Sequence, residues 1–511
     1  MEKRLGITIA LSLLVLVVWS VLTQKMQPID NKAVTQQNNI VINAQEPQLS
    51  IPGPSVVSEE QVKVKLTNYS QENFDIVFNE SQGSIQEIIF KGYQNHKFAL
   101  KEGLLLDDKK LQFKRVAAND NTVIFVAEDA VKRVTKKFIF SKSNYGLYLE
   151  LKIQNLTNGE IKIDYPVVLG VLDFAGDQNT ARFQDIAIVT DEKTVRPNVH
   201  KDTLIDNIKF ATLRDQYFCA IIQPEAGVDK YSASVKKLGS NLTEVALMSN
   251  LKTLSPNKAI NVQYHIYLGP QHLKTINAIK PDWTIVINFG MFDIISQILL
   301  QTLEFIHNIV GNWGWAIIIL SLLVYLIFYP LTLKQMRSMK EMQAIQPKVE
   351  ELRKAYKDNP QRLNKEIMEL YKEHKVNPFG GCLPMLLQMP IFFALYQALM
   401  RSVVLKGAKF LWISDLSAPD RFFKLPVSIP MLGEYINILP IIMAVGMFIQ
   451  QKLSMANMTG SSAEQQKMML IIMPVMFGII FYNMPSGLVL YWFINSMLML
   501  AYQIRVSRVT K

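Results

Sequence analysis

GNWGWAIIILSLLVYLIFYPLTL, residues 311–333, is the stretch on which the reading of this chain turns. It carries no charged side chain. As a helix it would reach about 35 Å, enough to cross a hydrocarbon core of about 30 Å. The next segment, 334–375, changes character at once, with eleven Lys or Arg residues against seven Asp or Glu. FGGCLPMLLQMPIFFALYQALM, residues 379–400, is then apolar again. A span, a basic segment and a second span therefore form one unit. Within the basic segment a helical pattern runs to Tyr356, with Glu350 and Lys354 at the favourable i,i+4 spacing. Lys357-Asp358-Asn359-Pro360 interrupts it and 361–374 resumes it, which predicts a helical hairpin. Lys348, Arg353, Lys354, Lys357, Arg362 and Lys365 give that hairpin a basic face suited to lipid headgroups or RNA-bearing partners.

Charge-free gaps count the remaining spans. None of Asp, Glu, Lys or Arg occurs between Glu304 and Lys334, Lys375 and Arg401, Glu434 and Lys452, or Lys467 and Arg505. The last gap holds 37 residues, about 55 Å as one helix, and Asn483-Met484-Pro485-Ser486-Gly487 divides it into two spans. Upstream, Met1-Glu2-Lys3-Arg4 precedes twenty uncharged residues, 5–24, with no good cleavage site after them. That predicts an uncleaved first span. The six expected spans are 1–24, 311–333, 376–400, 435–451, 468–484 and 485–504. Lys3, Arg4, the 334–375 segment, the 452–467 loop and the basic 505–511 tail belong on the cytoplasmic side. The 401–434 loop then lies outside, where its five basic residues are an imperfect fit to the rule.

Outward of the first span, 25–57 is rich in Gln, Asn, Pro and Ser and reads as a flexible tether. Residues 58–281 read as a soluble β-sandwich on the same side. Leu147, Leu149, Leu151 and Ile153 alternate with Tyr148, Glu150, Lys152 and Gln154, the signature of a strand with one buried face. The stretches 62–66, 74–78, 83–90, 120–128 and 262–268 repeat the theme, and Asn158-Gly159 marks a turn. Between this domain and the second span, 282–310 reads as an amphipathic helix lying along the membrane surface. Phe292, Ile295, Leu299, Leu303, Ile306 and Val310 fall on one face, while Asp293, Glu304 and His307 are too polar for a central span.

The net charge of +11 accompanies a positive mean hydropathy, so the excess reflects membrane topology and anionic-lipid contact, with no direct nucleic-acid specificity expected. Cys219 and Cys382 fall in different regions and predict no disulfide scaffold. His96, His200, His265 and His272 are not spaced as metal ligands, and neither a nucleophile elbow nor a Gly-rich phosphate loop is present. The chain therefore does not read as an enzyme, and neither cofactor nor metal is expected. The membrane segments do carry polar groups: Gln388, Asn495, Ser496, Asn483 and Ser486, with Pro384, Pro390, Pro440 and Pro474 to distort or end helices. Buried polar groups in hydrocarbon must face one another or water, which allows a hydrated recess. Met443, Met447, Met468, Met469, Met473 and Met476 offer an adaptable apolar surface.

The segments 311–332, 339–353 (MKEMQAIQPKVEELR), 377–400, 411–420 (LWISDLSAPD) and 481–496 (FYNMPSGLVLYWFINS) resemble, in order and spacing, the YidC/Oxa1/Alb3 family of membrane protein insertases. The first span and the β-domain resemble its Gram-negative bacterial form. The resemblance implies a five-helix core around a hydrophilic groove open to cytoplasm and lipid. It implies insertion and folding of nascent membrane proteins into the inner membrane, alone or with the Sec translocon. It also implies that the hairpin receives substrate and meets ribosome or targeting components. One departure stands out. Where the family usually carries an arginine in its second span, this chain has Tyr325, with neither Lys nor Arg between Asn312 and Leu333. Groove polarity would then rest on Tyr325, Gln388, Asn495 and Ser496. Two other classes fit the sequence less well. A transporter would show repeated halves, which are not evident. A membrane-anchored envelope-assembly or glycan-binding protein would place its function in the β-domain.

Overall fold

A computed structural model describes residues 65–509 except 107, 109–110, 143, 164–165, 175–182, 228–229, 251–252, 358, 375, 377–382, 430–432 and 455–461. The expected first span and tether lie outside the described residues, as does Cys382.

The β-rich domain is built from long antiparallel pairings. Its nine-stranded sheet runs in the order Thr194–Val195, Asp185–Thr190, Ile208–Arg214, Phe218–Ala226, Ala259–Pro270, Gly146–Asn155, Lys132–Phe140, Thr122–Glu128 and Lys114–Asn119. Leu149 pairs with Tyr264 on one side and Phe138 on the other. Leu147, Leu149, Leu151 and Ile153 are all buried, each contributing about 1.5–3 kcal/mol. A five-stranded sheet (Thr203–Ile205, Tyr231–Lys237, Leu242–Ser249, Val167–Asp173, Leu105–Leu106) and a four-stranded one (Leu66–Ser70, Phe74–Asn79, Ser84–Phe90, His96–Phe98) share the same core. Phe78, Phe125 and Phe138 meet edge-on or tilted at 5.2–5.9 Å, joining the four-stranded sheet to the nine-stranded one.

Helices dominate the rest: α1 (Leu273–Asn277), α2 (Asp293–Val310), α3 (Trp313–Ala355), α4 (Pro360–Glu373), α5 (Leu383–Arg401), α6 (Ile438–Ser454), α7 (Ser462–Tyr482) and α8 (Ser486–Val509). Trp313–Lys334 of α3 and Ser486–Arg505 of α8 are long and apolar enough to cross a membrane; Ile438–Leu453 and Leu470–Tyr482 are shorter apolar helices. Gly311, at φ 71°, ends α2 in the left-handed conformation glycine favours. Asn312 then caps α3, its Oδ1 accepting the N–H groups of Gly314 and Trp315 at 2.9 and 3.2 Å. From there α3 continues for 43 residues, about 65 Å, so the expected span and the first hairpin arm are one helix.

The buried face of α2 overlaps the predicted stripe at Leu303 and Ile306, with Phe292, Ile295 and Leu299 half-buried, and differs from it elsewhere. Ser296, Leu300, Leu303, Glu304 and Ile306 are buried, whereas Val310 is exposed. Partners remote in sequence turn that face inward. Ser296 Oγ donates to the Ala394 carbonyl at 2.8 Å, and Glu304 binds His272 and Lys274 at 3.2 and 2.9 Å. Burial raises the Glu304 carboxyl, but these hydrogen bonds outweigh it and hold the group below its ordinary range. Ile294, Ile298, Phe305 and Ile309 form a second apolar row that stays exposed.

The segment after α5 is more than a loop. Val403 is buried in the β-domain core, the Gln216 side chain donates to the Met400 carbonyl at 2.7 Å, and the Lys406 ammonium lies 4.9 Å from the Tyr217 ring. Phe423–Ile429 and Gly433–Ile436 then form a β-hairpin. A second core runs from Phe210, Tyr267 and Trp283 of the β-domain side into Leu303, Leu320, Leu395 and Leu490 of the helices. The two halves are thus joined by packing as well as by chain.

Candidate substrate groove

Two contacts set the relation of α3 to α8. Near their starts, Gly487 approaches the Ile317 side chain so closely that an added Cβ would lie 3.2 Å from its Cδ1. Twelve or more residues further on, Tyr329 meets Tyr502 edge-on at 5.9 Å. Both contacts advance in the same sense along the chain, so the two helices run in parallel. Ala316, Ile317, Leu320, Ser321 and Val324 make the buried face of α3, and Leu322, Leu323, Leu326 and Ile327 its exposed apolar face. Ser321 spends its hydroxyl within the helix, donating to the Ile317 carbonyl at 2.7 Å.

Tyr325 lies between these faces, half-buried, with its ring 6.1 Å from Tyr329. Tyr325, Tyr329 and Tyr502 therefore form a ladder of amphipathic rings that links α3 to α8. Asn495 lies on the α8 face that carries Tyr491 and Tyr502, at spacings of four and seven residues. Its Nδ2 donates to the Tyr491 carbonyl at 3.0 Å, and Ser496 is buried. Among the described residues, no hydrogen bond joins Tyr325 to Asn495 or Ser496, so these residues border one region without forming a single network. The side chain of Gln388 lies outside the described residues. Tyr329 and Tyr502 were not among the predicted site residues. The available signal was the i,i+4 spacing of Tyr329 from Tyr325; the pairing with Tyr502 depends on helix packing.

Further polar capacity lies nearby. Gln451 on α6 donates to the Met473 sulfur at 3.5 Å, while its Oε1, like that of Gln503 on α8, is buried and has no hydrogen-bond partner among the described residues. Around them the helices present apolar side chains outward, including Val445, Ile471 and Val475.

At the other end of α3 the hairpin has a small core of its own, Ile345, Val349, Leu363 and Val376. Asn359 caps α4 by accepting the Arg362 N–H at 3.1 Å. His374 Nδ1 donates to the Leu370 carbonyl at 3.1 Å, which leaves Nε2 to accept from the Lys348 ammonium at 2.9 Å across the two arms. Arg362 lies 5.0 Å from the Tyr356 ring and 3.7 Å from Glu366, and Lys365 lies 3.9 Å from Glu369. Lys348, Arg353, Lys354, Lys357, Arg362 and Lys365 are all exposed. Solvent-facing pairs of this kind contribute little to stability.

Known proteins bear on this arrangement. The family model described as YidC periplasmic domain matches residues 62–302, and the one described as 60Kd inner membrane protein matches residues 305–511. A protein of Pelobacter propionicus named Membrane protein insertase YidC is 31% identical, with 99% of both chains covered. A relative of the same name from Geobacter sulfurreducens is 37% identical over 73% of this chain and 68% of its own length. Among solved structures, an active YidC insertase aligns over 86% of this chain and 93% of its own, at a TM-score of 0.40 and 20% identity. With both halves matched by family models and identity sustained from end to end, the chain belongs to the YidC family of membrane protein insertases.

Proposed function

We propose that this protein inserts newly made membrane proteins into the bacterial inner membrane and assists their folding. The observation that carries this reading is the match, over 99% of both chains, to a protein named Membrane protein insertase YidC. The charge distribution supports six spans with both termini cytoplasmic and the β-domain periplasmic. In this reading α3, α5, α6, α7 and α8 surround a groove open to the cytoplasm. A nascent hydrophobic segment slides along exposed apolar helix faces while its polar flank passes Tyr325, Tyr329, Asn495, Ser496 and Tyr502, with Gln388 contributing from α5. The physical gain is a partly hydrated path for groups whose transfer into hydrocarbon costs several kcal/mol. No bond is made or broken, so positioning and hydration do the work. The basic hairpin receives the substrate and meets anionic lipid, the ribosome or targeting components, and the Sec translocon acts beside it on part of the substrate range.

Single cysteines placed at Tyr325, Tyr329, Asn495 and Tyr502, in protein lacking Cys219 and Cys382, test the groove in membrane vesicles. A water-soluble maleimide should label these positions and leave Ile327 and Val475 cysteines unlabelled. Equal protection at all six positions would contradict the groove.

A further inference from the structure

Three arginines converge where the β-domain, the 286–293 linker and the end of α5 meet. Arg214, with a side chain only 4% exposed, donates through Nε and Nη2 to Asp185 Oδ2 at 3.0 and 2.5 Å, and through Nη1 to the Val286 carbonyl at 2.9 Å. Arg196 donates to that same Asp185 oxygen. Arg401, the last residue of α5, donates through Nη1 to the Asn288 carbonyl at 3.2 Å, the carbonyl that Arg214 also approaches at 3.5 Å. Its guanidinium lies 5.5 Å from the Phe183 ring.

The acceptors do not match the donors. Three guanidiniums offer fifteen N–H groups in all. Facing them among the described residues are one oxygen of Asp185, two carbonyls and the more distant Asp293, whose carboxylate already accepts from the Phe289 N–H and the Gln297 amide at 2.7 and 2.8 Å. Arg401 makes no ion pair among the described residues, and its Nε is buried without an acceptor. Arginine stays protonated under such conditions, so this is a retained, undercompensated positive charge. A partly buried guanidinium in that state is costly unless something else supplies oxygens.

The surroundings indicate what does. Ile285, beside Val286, is exposed, as are Met291 and Ile294 further along the same segment, and Ile294 begins the outward apolar row of α2. A ligand suited to this place carries anionic oxygens in planar, bidentate reach of arginine and an apolar body beside them. We propose that Arg401, Arg196 and Arg214 form a binding site for the phosphate of a phospholipid, whose acyl chains lie along Met291, Ile294 and the exposed face of α2. Charge-assisted, bidentate contacts of arginine to phosphate are the strong class of hydrogen bond, and they fix orientation as well as affinity. A lipid held here would fill the joint between the two halves of the molecule.

The test uses purified full-length protein in detergent, titrated with phosphatidylglycerol and followed by native mass spectrometry. The wild type should retain one phosphatidylglycerol, and Arg401→Gln and Arg196→Gln should each bind it at least about tenfold more weakly. Arg196 is partly exposed and its replacement leaves Arg214 to hold Asp185, so that variant keeps the test valid if Arg401→Gln fails to fold. Diacylglycerol, which has the chains without the phosphate, should not be retained. Unchanged binding in Arg196→Gln, or equal retention of diacylglycerol, would overturn the proposal. Displacement of the lipid by millimolar inorganic phosphate would assign the site to free anions and overturn it as well.

Discussion

Tyr325 stands where the resemblance implies an arginine, and the structure gives it neighbours of its own. Half-buried beside Tyr329, it presents a hydroxyl in place of a fixed charge. Tyr325→Phe removes only that hydroxyl and should lower insertion of any one substrate by at most about tenfold, the scale of a single neutral hydrogen bond. Tyr325→Arg should shift preference toward substrates with acidic flanks by up to about fivefold, as one partly exposed charge pair allows. Competition between matched acidic and neutral flanks reads both. A second residue reports on the β-domain. Lys136 is fully buried, donates to the Gly83 and Leu104 carbonyls at 2.5 Å, and is pushed down to about 7 by burial. In the unfolded chain the amine titrates near about 10.4, so between these values the unfolded state binds more protons and rising pH stabilises the fold. From pH 7 to 10 the wild type should gain thermal stability relative to Lys136→Met. An unchanged difference across that window would contradict the burial.

At the scale of elements, α3 depends on close approach near its N-terminus. A Cβ on Gly314 would lie 2.0 Å from Cγ of Phe410, so this turn of helix packs directly on the ring. Gly314→Ala must displace Phe410 and should cost about 1–3 kcal/mol, read as a lowered unfolding midpoint in detergent. The span within α3 was legible in sequence because a charge-free run is a local signal; its unbroken continuation into the first hairpin arm was not. The strand through Leu149 was legible too, where alternation alone separates the buried face from the open one. The face of α2 was legible only in part: Leu303 and Ile306 of the predicted stripe are buried, Val310 is not, and the polar Ser296 and Glu304 turn inward as well. Apolar residues surround that helix, and the choice is made by Ser296 reaching Ala394 and Glu304 reaching His272 and Lys274. No periodicity within 293–310 contains those partners. The candidate site divides the same way. Tyr325 could be found by motif and Tyr329 by spacing, whereas Tyr502 enters only through the packing of α8 on α3.

At the scale of the molecule, the β-domain and the helices share a core, and the chain after α5 enters the β-domain at Val403. The sequence divides there by composition, apolar against mixed, and composition does not reveal that the pieces are packed together. This joint packs α2, the N-terminal part of α3 and the end of α5 against the β-domain. The central claim is that the whole chain works as an insertase. The most direct test reconstitutes the purified full-length protein into liposomes and follows protease-protected insertion of a short single-span substrate. The account predicts insertion well above that in protein-free liposomes, and insertion equal to protein-free liposomes across several substrates would contradict it.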